Sequence, residues 1–257
     1  MSEIMDAASP NTTSTIFCAL NADAVFLSSD NVTFKVHRIY LIANSSVLAT
    51  EASQTSEVVH LPEAANVLEV LFQFVEPPSV AQRKRQISVL SMQADLFFEV
   101  AEASEKYAVY AAMNLCFTRM SMPAMISAYP FQILNHCAKH GYVDLADEAA
   151  EKSLSHSLRT AVRKLTAPDV LHRWILYYDH WREAARNTNA NFYKEFSLDN
   201  PGQGYCPILI HLHSRFANTI DKNPFLFDSI VPSIPSSGCE TYKCSPCKIL
   251  VWTLQVK

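Results

Sequence analysis

Residues 24–39 decide the fold, and they read AVFLSSDNVTFKVHRI. Four apolar residues come first, followed by Ser-Ser-Asp-Asn, whose side chains bond to their own backbone and favour turns. Val32, Phe34 and Val36 then alternate with polar residues, as is typical of a half-buried strand. The stretch predicts a β-hairpin, after which the apolar spacing over residues 38–48 becomes that of one helix.

The rest of the chain alternates apolar patterns with proline and glycine. Residues 58–61 predict a short strand, and Pro62-Glu63 then opens a helix that must end before Pro77-Pro78. Further helices are predicted over residues 94–120, 130–140 and 144–165 and from Pro168 onward. Gly141 is the expected cap of the second of these.

Together these elements predict an α+β fold. A disordered tail is expected over residues 1–19 and a small mixed α+β unit over residues 20–120. A helical extension is expected over residues 121–257, with an irregular C-terminal end that contains cysteines.

Composition excludes several classes of function. Four glycines in 257 residues leave no glycine-rich loop to hold phosphates. Residues 1–78 carry two basic and nine acidic side chains, a net charge of −7, so direct nucleic-acid binding is not expected. The chain has no apolar run of ~18 residues, and its first ten residues lack a secretion pattern. An intracellular protein, cytoplasmic or nuclear, with no membrane partner is therefore expected.

Seven cysteines, an odd number, favour free thiols in a reducing compartment. Cys244 and Cys247 have the spacing that lets two thiolates reach one zinc ion, and Cys239 could be a third ligand. A fourth ligand could come from Cys206, His211 or His213, but the chain has no second cysteine pair and the two histidines lack the usual finger spacing. Packed free thiols are the preferred interpretation, and zinc at Cys239, Cys244 and Cys247 stays the alternative.

Histidines raise the question of catalysis or metal binding. His136 and His140 lie four residues apart on one predicted helix, but the glutamate of the metalloprotease motif is missing between them, which favours a chance spacing. No nucleophile elbow and no assembled acid–base set are visible. We expect neither an enzyme nor a cofactor.

The N-terminal arrangement resembles the BTB/POZ family. The resemblance rests on Asp23–Leu27, on Phe34-Lys35-Val36-His37-Arg38, on Ser45–Leu48, on Val58-Val59-His60-Leu61-Pro62-Glu63 and on Ala101–Tyr107, in that order. Helices around residues 134–150 look like those that follow the domain in many fungal BTB proteins. By this resemblance His37 is a structural residue beneath the first helix.

The resemblance implies protein binding as the activity. A homodimer is expected through a self-association face that includes Ile39, Leu41, Ile42 and Leu48. A cullin scaffold is a further expected partner, near residues 76–86 and the helix from Leu96, which would make the chain a substrate adaptor of a ubiquitin ligase complex. The alternative is an oligomerisation scaffold or transcriptional co-regulator with no ligase role. The cargo is not readable from the sequence.

Overall fold

A computed structural model describes residues 12–54, 58–76 and 88–197. The chain divides into two units, Met1–Gly141 and Tyr142–Lys257. The first is a mixed α+β unit with a small sheet followed by helices, and the described part of the second is helical. The predicted α+β class is confirmed at this level.

The sheet has four strands in the order β1-β3-β2-β4. They are β1 (Thr12–Cys18), β2 (Ala24–Leu27), β3 (Val32–Val36) and β4 (Val59–His60). The predicted hairpin is confirmed, because β2 and β3 pair antiparallel with Phe26 opposite Phe34. Asn31 takes a φ of 62° at its turn, a conformation that Asn tolerates better than most residues.

Strand β1 lies within the segment for which the sequence predicts a disordered tail, so that prediction is wrong for residues 12–18. The strand pairs parallel with β3, with Thr12 opposite Val32, and it contributes the buried ring of Phe17. Its polar Thr-Thr-Ser-Thr start shows no alternating pattern. The strand is thus specified by pairing with β3, which local periodicity cannot show.

Four phenylalanine rings form the centre of the core beside the sheet. Phe72 lies 5.2 Å from Phe26, 5.4 Å from Phe34 and 5.7 Å from Phe17, measured between ring centroids. These tilted and edge-on geometries are the favourable ones for aromatic pairs. The contact fixes the helix that carries Phe72 against one face of the sheet.

Seven α-helices are described in the first unit. They are α1 (Arg38–Asn44), α2 (Ser46–Gln54), α3 (Ala65–Val75), α4 (Ala94–Lys106), α5 (Tyr110–Met120), α6 (Pro123–Ala128) and α7 (Pro130–His140). A 3-10 turn, Val89–Ser91, precedes α4. Gly141 ends α7 with a φ of 82° and donates its N–H to the Cys137 carbonyl at 2.7 Å, so the predicted cap is confirmed.

The single helix predicted over residues 38–48 is wrong, because Ser45 is extended and separates α1 from α2. Its hydroxyl donates to the carbonyl of Tyr107 at 2.6 Å and accepts from the N–H of Leu48 at 3.1 Å. Serine can replace helical hydrogen bonds with side-chain ones. The break is therefore stabilised by a partner far along the chain.

The continuous pattern over residues 94–120 is also interrupted, between α4 and α5. Ala108 takes a φ of 50°, and the N–H of Val109 donates to the carbonyl of Ser104 at 2.9 Å. The turn shifts the buried face, so Ala112 and Cys116 are buried whereas Leu115 is 41% exposed. Leu115 therefore does not share the buried face of Val100, as one continuous helix over residues 94–120 would require.

The described part of the second unit contains α8 (Val143–Ser153), α9 (Leu158–Lys164) and α10 (Pro168–Ser197). One helix was predicted over residues 144–165, but Ser157 starts a new one by accepting a hydrogen bond from the N–H of Thr160. The predicted start at Pro168 is confirmed. Trp174 is buried there, with its indole N–H donating to the Ser153 hydroxyl at 2.7 Å.

Among the described residues, no helix combines the length and the apolar character needed to cross a membrane.

Candidate functional site

Helix α1 presents an apolar face to solvent, here called the α1 face and formed by Ile39, Tyr40, Ile42 and Ala43. Ile39 and Ile42 are each 71% exposed, and Tyr40 is 36% exposed. Positions three and four apart lie on one side of a helix, which brings Ile39, Ile42 and Ala43 together. The helix has seven residues, and none of the four that form the α1 face is charged.

Polar contacts at both ends hold α1 in place. At its start the backbone N–H of His37 donates to Glu76 at 2.9 Å, and that of Arg38 donates to Asp23 at 2.7 Å. At its end the Asn44 amide donates to the carbonyl of Val75 at 2.8 Å. The α1 face is thus carried by a helix whose position is fixed, which lowers the entropic cost of binding a partner.

The structure separates the four predicted self-association residues into two pairs. Ile39 and Ile42 belong to the α1 face, whereas Leu41 and Leu48 are completely buried. Leu41 projects from the opposite side of α1, and Leu48 comes after the break at Ser45. In this fold Leu41 and Leu48 are core residues, so of the four predicted residues only Ile39 and Ile42 are exposed to a partner.

His37 makes structural contacts at the start of α1, as the family resemblance implies. Its Nδ1 lies 2.9 Å from one oxygen of Glu76, while its own backbone N–H donates to the other. Its ring packs edge-on against Tyr40, 6.0 Å between centroids. The pair joins the start of α1 to the residue that follows α3.

A second set of polar side chains lies between α4 and α7 and is called the Glu–His cluster, formed by Glu102, Glu105, His136 and His140. His136 Nδ1 lies 2.6 Å from one oxygen of Glu102, and His140 Nε2 lies 3.1 Å from the other. Lys139 also donates to Glu102, at 2.5 Å. The remaining ring nitrogens, His136 Nε2 and His140 Nδ1, lie 3.9 and 4.0 Å from the Glu105 carboxylate.

Helical spacing brings these side chains together. Glu102 and Glu105 are three residues apart on α4, and His136 and His140 are four apart on α7. Burial raises the pKa of Glu102, but the hydrogen bonds from His136, Lys139 and His140 outweigh it and lower the pKa to about 2. Glu102 is therefore a carboxylate at any physiological pH.

The Glu–His cluster opens into a groove of about 760 Å³. Its walls come from α4, α7 and the loop before α3, and include Glu63, Phe98, Glu102, Lys139 and His140. Across the groove Glu63 accepts hydrogen bonds from Lys106 at 2.7 Å and from the Tyr107 hydroxyl at 2.5 Å. The groove thus gives solvent and small solutes access to the half-exposed Glu102.

His136 and His140 are visible in the sequence as a pair, and their spacing favours chance. Glu102 lies 34 residues before His136 and belongs to no local motif with it, so the sequence does not indicate its role. The spacing of Glu102 and Glu105 on one helix was the available signal. Only the packing of α4 against α7 shows that the two pairs meet.

Two predicted sites lie partly or wholly outside the described residues. Cys239, Cys244 and Cys247 fall beyond residue 197, and most of the expected cullin-binding segment falls within residues 77–87. The other part of that surface is α4, on which Leu96 is half-buried. Both predictions stay untested by the structure.

No protein-family model matches this chain, and no curated protein is significantly similar to it in sequence.

Proposed function

We propose that the chain is a protein-interaction module of the BTB/POZ type that self-associates through the α1 face. The observation that carries the proposal is the pair Ile39 and Ile42, each 71% exposed on a helix fixed at both ends. The order of elements supports it, since the hairpin, α1, α2, β4 and α3 occur where the resembling motifs stand. The proposed activity is binding, without catalysis.

A second copy of the same chain is the occupant that fits the α1 face best. A patch without charges is complementary to itself, and a two-fold axis places the same residues on both sides of an interface. The strongly acidic N-terminal part would repel another copy wherever its charges met. The uncharged α1 face is where two such units approach at least electrostatic cost.

Ile42→Asp tests this assignment. The substitution removes an apolar contact from both halves of a symmetric interface, about 1.5 kcal/mol or more each, so we expect the dimer Kd to rise at least about 100-fold. Sedimentation equilibrium of the full chain measures the change. A matched control is Val162→Asp on α9, which places the same charge at a position 52% exposed.

Wild type and Val162→Asp should be dimers and Ile42→Asp a folded monomer, with folding checked by circular dichroism. A folded Ile42→Asp variant that dimerises as tightly as wild type would remove the α1 face from the proposal. A wild-type chain that is monomeric at all concentrations would remove self-association altogether.

A substrate-adaptor role in a cullin ubiquitin ligase is the finer part of the proposal, and it rests on the family resemblance. We expect saturable binding of one cullin N-terminal domain per subunit, measured by calorimetry with the purified full chain. Ile42→Asp serves as the matched variant, because cullin binding by a monomer would separate the two surfaces. Absence of binding by well-folded wild type would leave the scaffold or co-regulator function.

A further inference from the structure

Two imidazoles and a carboxylate converge in the Glu–His cluster. One donor atom each from Glu102, His136 and His140 lies within 4.8 Å of the other two. Donor atoms around a tetrahedral zinc ion lie roughly 3.3 Å apart, given metal–ligand bonds of about 2.0–2.1 Å. Side-chain rotations that move the donor atoms by about an ångström would bring the three atoms to that spacing.

The chemistry of the donors selects the class of ion. Imidazole nitrogen together with carboxylate oxygen suits zinc and similar divalent transition metals, whereas calcium and magnesium prefer oxygen alone. The buried thiol of Cys137 does not belong to the group of converging donor atoms. The described cluster therefore offers nitrogen and oxygen ligands but no thiolate.

The outer contacts fit a metal on the Glu102 side of the rings. A histidine that binds a metal through one nitrogen usually directs its other N–H to a carboxylate, which fixes the ring orientation. With His136 Nδ1 and His140 Nε2 facing Glu102, the opposite nitrogens face Glu105 at 3.9 and 4.0 Å. Both distances are just beyond hydrogen-bond range, so a small shift of the Glu105 side chain would let it orient the rings.

A positive charge already neutralises Glu102. The Lys139 ammonium lies 2.5 Å from its Oε2, yet the Lys139 side chain is 67% exposed and can move into solvent. His136 is only 3% exposed, which shields that part of the cluster from water. The groove beside Glu102 and His140 supplies the entry route for an ion and room for a water molecule as a fourth ligand.

We propose that Glu102, His136 and His140 bind one divalent transition-metal ion of the zinc class, with Glu105 as a positioning residue for the two imidazoles. Such an ion would link α4 to α7. The proposed metal site is independent of the α1 face, which lies on another helix. Either proposal can therefore fail without the other.

The test is a titration of the chelator-treated full chain with Zn²⁺ by calorimetry and with Co²⁺ by visible absorption. We expect one equivalent to bind with a Co²⁺ spectrum that lacks a thiolate charge-transfer band. His140→Ala and Glu102→Gln should each weaken binding at least about 100-fold, and Glu105→Gln about 10-fold. His172→Ala, at an exposed position of α10, is the matched control and should bind like wild type.

A variant with Cys239, Cys244 and Cys247 changed to serine separates this site from the C-terminal cysteines, and should keep the ion. Lys139→Met removes the competing ammonium at an exposed position and should tighten binding several-fold. Misfolding weakens binding and does not tighten it, so this result cannot come from a damaged fold. Failure of the wild-type chain to bind either ion would overturn the proposal. So would binding that survives His140→Ala and Glu102→Gln but disappears in the cysteine variant.

Discussion

Among the described residues of the first unit, histidine contacts glutamate in two places, and the two contacts have different structural roles. Glu76 binds the ring and the backbone N–H of one residue, His37, at the start of α1. Glu102 binds three side chains, those of His136, Lys139 and His140. The first carboxylate therefore satisfies the backbone, whereas the second accepts from side chains only, as far as the described residues go.

The difference suggests how a structural pair can be told from a ligand set. A helix start leaves N–H groups without helical partners, so a carboxylate that accepts one is part of the helix itself. A carboxylate held only by side chains can exchange its partners without unfolding any backbone. By this criterion Glu76 is a structural residue, whereas Glu102 fits the ligand set that we propose.

The largest expected effect on stability comes from Glu76→Ala. Losing the acceptor for a part-buried backbone N–H and a ring N–H should lower the free energy of unfolding by about 2 kcal/mol. Urea denaturation measures the loss. The matched control is Glu148→Ala, an exposed glutamate on α8, which should cost less than about 0.5 kcal/mol.

His37→Ala sharpens the same experiment. It removes the ring contact but leaves the backbone N–H bonded to Glu76, so we expect a loss of about 1 kcal/mol. Both substitutions remove the same ring contact. The free energy of unfolding of the double variant should therefore lie within a few tenths of a kcal/mol of that of Glu76→Ala. Equal costs for Glu76→Ala and Glu148→Ala would refute the structural assignment.

A smaller effect is expected from Glu102 in acid. Its pKa is about 2 in the folded chain and 4.5 ordinarily, so the folded state binds fewer protons than the unfolded state between those values. The stabilisation is complete above about pH 4.5 and is lost as the pH falls toward 2. Because the Glu102 side chain is 36% exposed, solvent screening reduces it to about 0.5–1 kcal/mol.

The measurement is urea denaturation of metal-free protein between pH 6 and 2, for wild type and Glu102→Gln. The difference in stability between them should shrink as the pH falls through this window. A difference that stays constant would show that the charge of Glu102 contributes nothing to the fold.

Local sequence predicted the elements whose causes are local. The hairpin follows from the alternation of Val32, Phe34 and Val36, and the ends of helices follow from Gly141 and Pro168. The breaks at Ser45 and Ala108 depend in part on a contact between residues that are distant in sequence. The local apolar spacing stays helical across both breaks and does not indicate them. Periodicity predicted one helix over residues 38–48 but not which of its sides faces the core. The family resemblance assigned Leu41 to the self-association face, whereas the structure shows that it is a core residue.

The same limit applies to the Glu–His cluster. The sequence shows the two histidines as a pair at helical spacing, yet the carboxylates that they contact belong to another helix. A chance pair and half of a ligand set have the same local sequence. Tertiary packing alone distinguishes them.

The hydrogen bond from Ser45 to the carbonyl of Tyr107 joins two helix breaks that are 62 residues apart. The bond contributes to both breaks, and it forms only when the long loop between Ser45 and Tyr107 closes. Closing a long loop costs conformational entropy before the contact can stabilise the chain. Folding is therefore slower when the contacts join residues that are more distant in sequence. We therefore expect the refolding rate of this largely helical unit to be set by the meeting of Ser45 with Tyr107, not by the speed at which its helices form.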